Sequence, residues 1–428
     1  MKLKPTKEQL KFLDWEMGLF FHFGIRSFYV GHRDWDNQEM SLSAFNPESL
    51  DCEQWIREAK EAGFKYTILT CKHHDGFAIW PSKYTEYSVK NTPWKDGKGD
   101  VVREYVDACR KYDMGVGLYY SPAQWGESAV HFENAKDYDD YFINQLGELL
   151  TNYGKVDYLW FDGCGSEGHE FDTDRIVKEI RRMQPGILIF NMWDPDTRWV
   201  GNEDGYADMN NPYTVYGTNF SIFQDEGDQF EKAQFLPAEC DFQMRATWFD
   251  CEINEDSIKT ADELFGIYEY SVGRGANFLL NIGPDRHGRL PYADVVRLRE
   301  FAARGREVYG EAIDFGDVTK AIDQENVFEI VHPTIDYRLA QNLPNPSPLC
   351  NRVVIEEDIT DGQAIKEFRL YAHLPRNRYR RICVYKGDTV GHKTICSFPT
   401  IKSARFVLEV TDADGEVKIK SMKAYYAK

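Results

Sequence analysis

The strongest constraint on how this chain folds is an alternation repeated at least five times before about residue 312: a short β-rich apolar run, then an amphipathic stretch of about three helical turns. "MGLFFHFG" precedes "LDCEQWIREAKEAG", "KYTILTCK" precedes "GDVVREYVDACRKYD", and "MGVGLYYS" precedes "AKDYDDYFINQLGELLTNYG". "VDYLWFDG" and "ANFLLNIGP" each lead into a helical pattern as well, whereas "GILIFNM" leads into a long loop. Continuous apolar strands separated by helices require a parallel sheet buried on both faces. Repeated this often, the pattern predicts a (β/α)8-like barrel rather than an open sheet. Beyond residue 312, runs such as "NRVVIEEDI", "EFRLYAHL" and "ARFVLEVTD" are β-branched and turn-punctuated with no helical period between them. They predict an all-β C-terminal sandwich. The expected organisation is a barrel over residues 1–312 and a β-sandwich over 313–428, with the Pro- and Asn-rich "QNLPNPSPLCN" a loop inside the latter.

Charge excludes one class of partner. With 51 basic and 70 acidic residues the net charge is −19, so the surface repels polyanions and nucleic acid is not expected as a partner. No apolar run approaches the roughly 20 residues of a membrane span, and "MKLKPTKEQLKFLDW" has no apolar run of signal-peptide length, so no membrane association is expected. The nine cysteines are scattered, with no CxxC pair, which points to neither a zinc ribbon nor a disulfide framework. The expectation is a cytoplasmic protein with reduced thiols. No dense acidic loop has ion-binding spacing, and neither a metal nor another cofactor is expected.

In a parallel barrel the loops leaving the carboxyl ends of the strands build the site. Here the first strand ends in His22, the second in His73 and His74, the third in Tyr119 and Tyr120, and the fourth in Asp162. A single strand-end Asp is often only a turn or helix cap. Four consecutive strands ending in titratable or hydrogen-bonding side chains instead indicate a carboxylate held at a barrel mouth. A metal hydrolase is the rival reading, but adjacent His73 and His74 would point to opposite sides of a continuing strand, and no HxH spacing is present. Acid–base work needs a second carboxylate, and the segment from Trp193 to Thr247 offers Glu203 in "GNEDG" and Glu239 in "LPAECDF". Glycosidic cleavage uses such a pair, about 5 to 5.5 Å apart in retaining enzymes. Trp35, Trp160, Trp193, Trp199 and Trp248, interleaved with His and with Arg198, suit a neutral sugar.

"GLFFHFG", "KYTILTCKHHDGFAIWPSKY", "GLYYSPAQW", "YLWFDG", "RWVGNEDG" and "NFLLNIGP" occur in the order seen in glycoside hydrolase family 29, and over residues 15 to 310 the chain resembles these retaining α-L-fucosidases. The tail and "FNPESLDCEQWI" resemble the branch acting on α-1,3 and α-1,4 linkages. The resemblance implies Asp162 as nucleophile, with Glu203 as acid/base and Glu239 as fallback. It implies fucose contacts from His22, His73, His74, Asp34, Trp35 and one tyrosine of "GLYYS", for which Tyr120 is favoured over Tyr119. Trp160, Arg198 and Trp248 complete the expected substrate-binding set, and Trp248 with Phe249 would form an apolar corner for the fucose methyl. The implied partner is a fucosylated oligosaccharide. Departures from the family pattern are Asp34 where Glu is usual, "HFG" for "HWG", His287 where Asp is frequent, and "MRATWF" without Pro-Gly. The alternatives are a catalytically silent glycan-binding protein and a retaining glycosidase for a galactose-configured sugar.

Overall fold

The computed structural model describes residues 3–29, 40–123, 135–166, 168–220, 229–322, 324–333, 347–374 and 377–428. Its N-terminal part is an eight-stranded parallel barrel. In chain order the elements are α1 (Lys7–Trp15), β1 (Met17–Phe21), α2 (Cys52–Glu61), β2 (Tyr66–Lys72), α3 (Val101–Lys111), β3 (Gly115–Tyr120), α4 (Ala135–Asn152), β4 (Tyr158–Phe161), α5 (Thr173–Met183), β5 (Leu188–Phe190) and β6 (Arg198–Trp199). A hairpin follows, β7 (Thr214–Gly217) with β8 (Gln229–Phe235), then β9 (Ala238–Gln243), α6 (Ala261–Ser271), β10 (Asn277–Asn281) and α7 (Tyr292–Tyr309). The strand order around the barrel is β5-β4-β3-β2-β1-β10-β9-β6. A single parallel bridge between Phe190 and Thr197 joins the remaining edges.

The helices are those the periodicity predicts, and their starts are chemically marked. Asp51, Asp100 and Asp172 each accept the amide at the third helical position of α2, α3 and α5, satisfying one of the first-turn donors that have no intrahelical partner. Two departures from a regular (β/α)8 pattern stand out. Among the described residues no α-helix follows β5 or β6, and the segment expected to be one long loop contains β6, the β7–β8 hairpin and β9.

Side chains facing inward alternate along each strand and stack in layers. Tyr66, Tyr158, Glu239 and Asn277 lie near the amino ends of their strands, and Phe20, Ile68, Trp160 and Leu279 lie above them. Helix α1 closes the amino end, with Phe12 and Leu13 joining this interior cluster and Asn277 Nδ2 donating to Phe12 O at 2.7 Å. The aromatics fit because small residues face them. A Cβ on Gly18 would lie 2.3 Å from the Tyr66 ring, and one on Gly117 would lie 2.7 Å from Ile68.

The C-terminal part is two antiparallel sheets around a separate apolar core. Its strands are β11 (Thr319–Lys320), β12 (Val327–Val331), β13 (Leu349–Glu357), β14 (Ile365–Leu374), β15 (Asn377–Gly387), β16 (Thr394–Lys402), β17 (Arg405–Ala413) and β18 (Ile419–Tyr425). One sheet runs β11-β12-β17-β14-β15 and the other β16-β13-β18. Strand β16, "TICSFPTIK", was not anticipated, because Pro399 within it argues against a strand. The sandwich docks against the amino-terminal end of the barrel. Arg352 Nε donates to Glu269 Oε1 at 2.7 Å, Lys393 pairs with Glu16, and His392 N donates to the Tyr213 hydroxyl at 3.0 Å. All nine cysteines are free thiols, and among the described residues no helix is long and apolar enough to cross a membrane.

Candidate active site

Asp162 lies one residue past the end of β4, on the same inward parity as Tyr158 and Trp160. Its Oδ2 accepts the Tyr119 hydroxyl at 2.8 Å and faces His74 Nε2 at 3.3 Å, while Oδ1 accepts the Cys164 amide at 3.0 Å. Burial alone would push this carboxyl up, but His74, the Cys164 amide and the Tyr119 hydroxyl outweigh it and hold the group below the ordinary Asp value. The side chain keeps 25 % of its surface exposed. The result is an ionised carboxylate fixed at both oxygens and open to a ligand.

The histidines form the adjoining wall. Asn281 Nδ2 donates to Trp248 O at 2.7 Å, which turns its Oδ1 toward His22 Nδ1 at 2.8 Å. A carbonyl can only accept, so the amide orientation is settled, and with it the histidine tautomer: Nδ1 carries the proton and Nε2 is left as an acceptor. Burial pushes His22 down to about 3, against the opposing pull of Asn281 and Asp162, so the ring is neutral. His73 is likewise held well below its ordinary value by burial and then by neighbouring His74 and His22. It stacks on Tyr119, with centroids 5.5 Å apart and planes 8° apart, and its buried Nδ1 has no hydrogen-bond partner among the described residues. His74 Nδ1 lies 2.5 Å from Ser121 Oγ.

These positions correct the expectation that His73 and His74 face opposite sides. Strand β2 stops at Lys72, the chain turns through Gly76, and the two rings sit 4.3 Å apart. Their ligand atoms and that of Asp162 fall within 4.8 Å of one another, close enough to share a cation. However, His74 already spans Ser121 and Asp162, so two of the three groups are engaged with one another.

Other expected residues fall elsewhere. Tyr120 faces the helix layer, where its hydroxyl donates to Gln145 Oε1 at 2.6 Å and Phe142 packs edge-on at 5.1 Å; Tyr119 is the tyrosine that reaches the site. The reason is parity, since Gly115, Gly117 and Tyr119 share the inward side of β3. Arg198 lies at the amino-terminal level of the barrel, paired with Ala238, and turns outward to donate to Asn211 Oδ1 at 2.5 Å. It braces the chain outside β6 and takes no part in the mouth. Trp193 packs with Phe142, Phe161 and Phe171 outside the barrel. Trp160 forms the floor beneath Asp162, stacked between Tyr119 at 5.5 Å and Phe190 at 4.1 Å. Trp248 stands 4.9 Å from His22, and Phe249 packs edge-on against His22 and His73. Asp34 and Trp35 lie outside the described residues.

The two candidate acid–base carboxylates are separated by depth. Glu239 is fully buried; Oε1 accepts Trp160 Nε1 at 2.9 Å and the Tyr158 hydroxyl at 3.1 Å, and Oε2 accepts the Tyr66 hydroxyl at 2.5 Å. Burial pushes it up to about 7, a value suited to an acid–base group, yet nothing from solvent reaches it. Geometry decides before pKa does. Glu203 is exposed on the loop leaving β6, next to Asp204, which bridges to Phe242 on β9. Sequence reading missed Asp241 and Asn281. Asp241 is buried, accepts Trp199 Nε1 at 2.6 Å, and is pushed well up by burial and then by the charge of Glu203. The signal was present in β9, where Glu239, Asp241 and Gln243 alternate with Cys240 and Phe242.

A model of the α-L-fucosidase family matches residues 2–306. The chain belongs to the α-L-fucosidase family. This fucosidase is 32 % identical to alpha-L-fucosidase 1 of Arabidopsis thaliana over 95 % of its own length and 84 % of that protein's. It superposes on a glycoside hydrolase 29 family member from an unknown rumen bacterium with a TM-score of 0.85 at 32 % identity, covering 100 % of this chain and 78 % of the other. A Ruminococcus gnavus GH29 fucosidase in complex with fucose gives 0.81 at 25 % identity, covering 100 % and 95 %. As a family member the fucosidase is a glycoside hydrolase, with the barrel and C-terminal β-sheets of those structures.

Proposed function

We propose that the enzyme removes terminal α-1,3- or α-1,4-linked L-fucose from branched oligosaccharides with retention of configuration, using Asp162 as nucleophile and Glu203 as acid/base. The observation carrying this reading is the carboxylate of Asp162, kept ionised by Tyr119, His74 and the Cys164 amide at a barrel mouth with a quarter of its side chain exposed. An anomeric carbon placed above it meets an ionised oxygen, and bond formation gives a glycosyl-enzyme as Glu203 protonates the leaving oxygen. Glu203 then takes a proton from water, which attacks C1 and releases fucose and Asp162. The His22 Nε2 lone pair is suited to a sugar hydroxyl, and the Trp248–Phe249 pair offers the apolar corner for the methyl. The linkage preference rests on the resemblance of the tail and of "FNPESLDCEQWI". A cytoplasmic location is part of the proposal and is supported by the cysteine usage, nine scattered free thiols.

The test is hydrolysis of a trisaccharide with a branched fucose, with NMR of the anomeric proton released. Asp162→Ala is expected to lose several orders of magnitude in kcat. Glu203→Ala is expected to recover activity with azide or an activated leaving group, and chelators are expected to leave the wild type unchanged. Azide rescue of Glu239→Ala but not of Glu203→Ala, or hydrolysis of α-galactosides with none of fucosides, would sink the assignment.

A further inference from the structure

We propose that Ser121, at the start of the loop leaving β3, is a positioning residue: its hydroxyl holds the His74 ring so that Nε2–H stays aimed at Oδ2 of Asp162 whether the ring is neutral or charged. The inference rests on Asp162 being the nucleophile proposed above and adds what keeps its neighbour in register.

An ionised carboxylate accepts hydrogen bonds and cannot donate. Asp162 Oδ2 faces His74 Nε2 at 3.3 Å, so the contact is attractive only if Nε2 carries a hydrogen. A neutral imidazole has one N–H to place, and the partner at the other nitrogen decides where it goes. At Nδ1 that partner is Ser121 Oγ, 2.5 Å away. A carbonyl there would claim the hydrogen and turn a bare lone pair toward the carboxylate, just as Asn281 leaves Nε2 of His22 bare. A hydroxyl instead donates to a neutral Nδ1 and accepts from a charged one. In the second case its own hydrogen can turn to Ala123 O, at 3.4 Å. Asp162 passes from anion to ester and back in each turnover, so the charge that favours a protonated His74 comes and goes. Ser121 lets the ring follow that cycle without rotating. The other titratable groups around His74 are Tyr119, which shares Oδ2 with it, His73 at 4.3 Å between rings, and His22 beyond His73.

The hydroxyl is itself fixed. Ser121 is fully buried; its amide donates to Lys72 O at 2.9 Å, and its Oγ accepts the Ala123 amide at 3.2 Å. The latter bond is an ordinary local turn, which occupies one lone pair and leaves the hydroxyl hydrogen for His74. Tyr138 on α4 ties the same loop by donating to Pro122 O. On the neighbouring strand the register shifts between Thr70 and Lys72, a bulge of the kind that re-aims side chains beside active sites. It turns the buried Lys72 outward, with Nζ 4.4 Å above the Tyr120 ring and 3.5 Å from Ala123 O. One residue past His74, Asp75 accepts Arg26 Nε at 3.1 Å and the Phe77 amide at 2.8 Å. The backbone is therefore pinned on both sides of His74, and Ser121 sets the orientation of the ring.

The experiment measures kcat, KM and the pH profile of kcat/KM for α-L-fucosyl fluoride in wild type, Ser121→Ala, Ser121→Thr and Asp162→Ala, with Tm for each. Losing one hydrogen bond in such a chain is worth about a factor of ten, so Ser121→Ala should lose about tenfold in kcat with little change in KM. Its acid limb should move to higher pH, because Asp162 loses a steady donor. Ser121→Thr keeps the hydroxyl and should restore both kcat and the limb. An unmoved acid limb in Ser121→Ala, or a Thr variant as impaired as the Ala variant at equal Tm, overturns the proposal. Should Ser121→Ala not fold, NMR of the wild type labelled with 15N-histidine decides, with His74 assigned by the resonances lost in His74→Gln. Above the ring's titration Nε2 should carry the proton, and a proton on Nδ1 overturns the proposal. Activity remaining in Asp162→Ala would instead sink the nucleophile reading.

Discussion

At the residue scale, the decisive property is the charge state of Asp162. Its carboxyl sits below the ordinary Asp value because the charge of His74, with hydrogen bonds from His74, the Cys164 amide and the Tyr119 hydroxyl, favours the ionised form more than burial disfavours it. Removing the Tyr119 hydroxyl destabilises the ionised form, so the carboxyl titrates at higher pH. A hydrogen bond to a charged group contributes about 1.5 kcal/mol at the low end, so the acid limb of the kcat/KM profile of Tyr119→Phe should move up by roughly one pH unit. Tyr120→Phe loses hydrogen bonds to Gln145 and Tyr141 on the helix side of β3 and should leave that limb in place. If the two variants behave the other way round, Tyr119 is not the residue that sustains the nucleophile.

At the element scale, β9 is the unusual member of the barrel. Its inward face is polar, and the deepest of those groups, Glu239, is pushed up to about 7 by burial from an ordinary 4.5. A folded-state value above the unfolded one means that the folded protein holds the proton more tightly. The associated stability is fully present below about pH 4.5, is lost as pH rises to about 7, and is constant beyond. The loss is on the order of 3 kcal/mol. Glu239→Gln mimics the protonated acid, accepting from Tyr158 and Trp160 through its oxygen and donating to Tyr66 through its amide. Calorimetry should therefore show the variant close to wild type in Tm at pH 4.5 and more stable than wild type at pH 8. An equal Tm difference at both pH values would show that Glu239 does not titrate in this range.

At the scale of the whole molecule, the C-terminal sandwich meets the barrel at the end opposite Asp162. It contacts Glu16 before β1, the C-terminus of α6 through Glu269, and the C-terminus of α7 through Tyr309. The sandwich accordingly braces the barrel. Glu269→Ala leaves the Arg352 guanidinium half-buried and without its carboxylate, which costs about 3 kcal/mol. Thermal unfolding should show a lowered Tm with kcat/KM on the trisaccharide changed less than twofold. A large loss of kcat/KM at a temperature where the variant is folded would show that the interface reaches the site.

What the sequence determined by itself was the architecture and the mouth residues His22, His73, His74 and Asp162. Period-2 and period-3.6 patterns are local, and a polar residue ending an apolar strand is visible without knowing its neighbours. What only the tertiary structure decided was direction and depth. Tyr119 and Tyr120 are chemically identical neighbours, separated only by which side of β3 faces the axis. Glu203 and Glu239 are both glutamates in one polar segment, separated by whether Tyr66, Tyr158 and Trp160, distant in the chain, close over the carboxylate. Arg198, attractive beside Trp199, turns away for the same reason that Trp199 turns in. Strand β9 went unseen because its inward face is polar, which a buried parallel strand rarely tolerates and which only partners on other strands can satisfy.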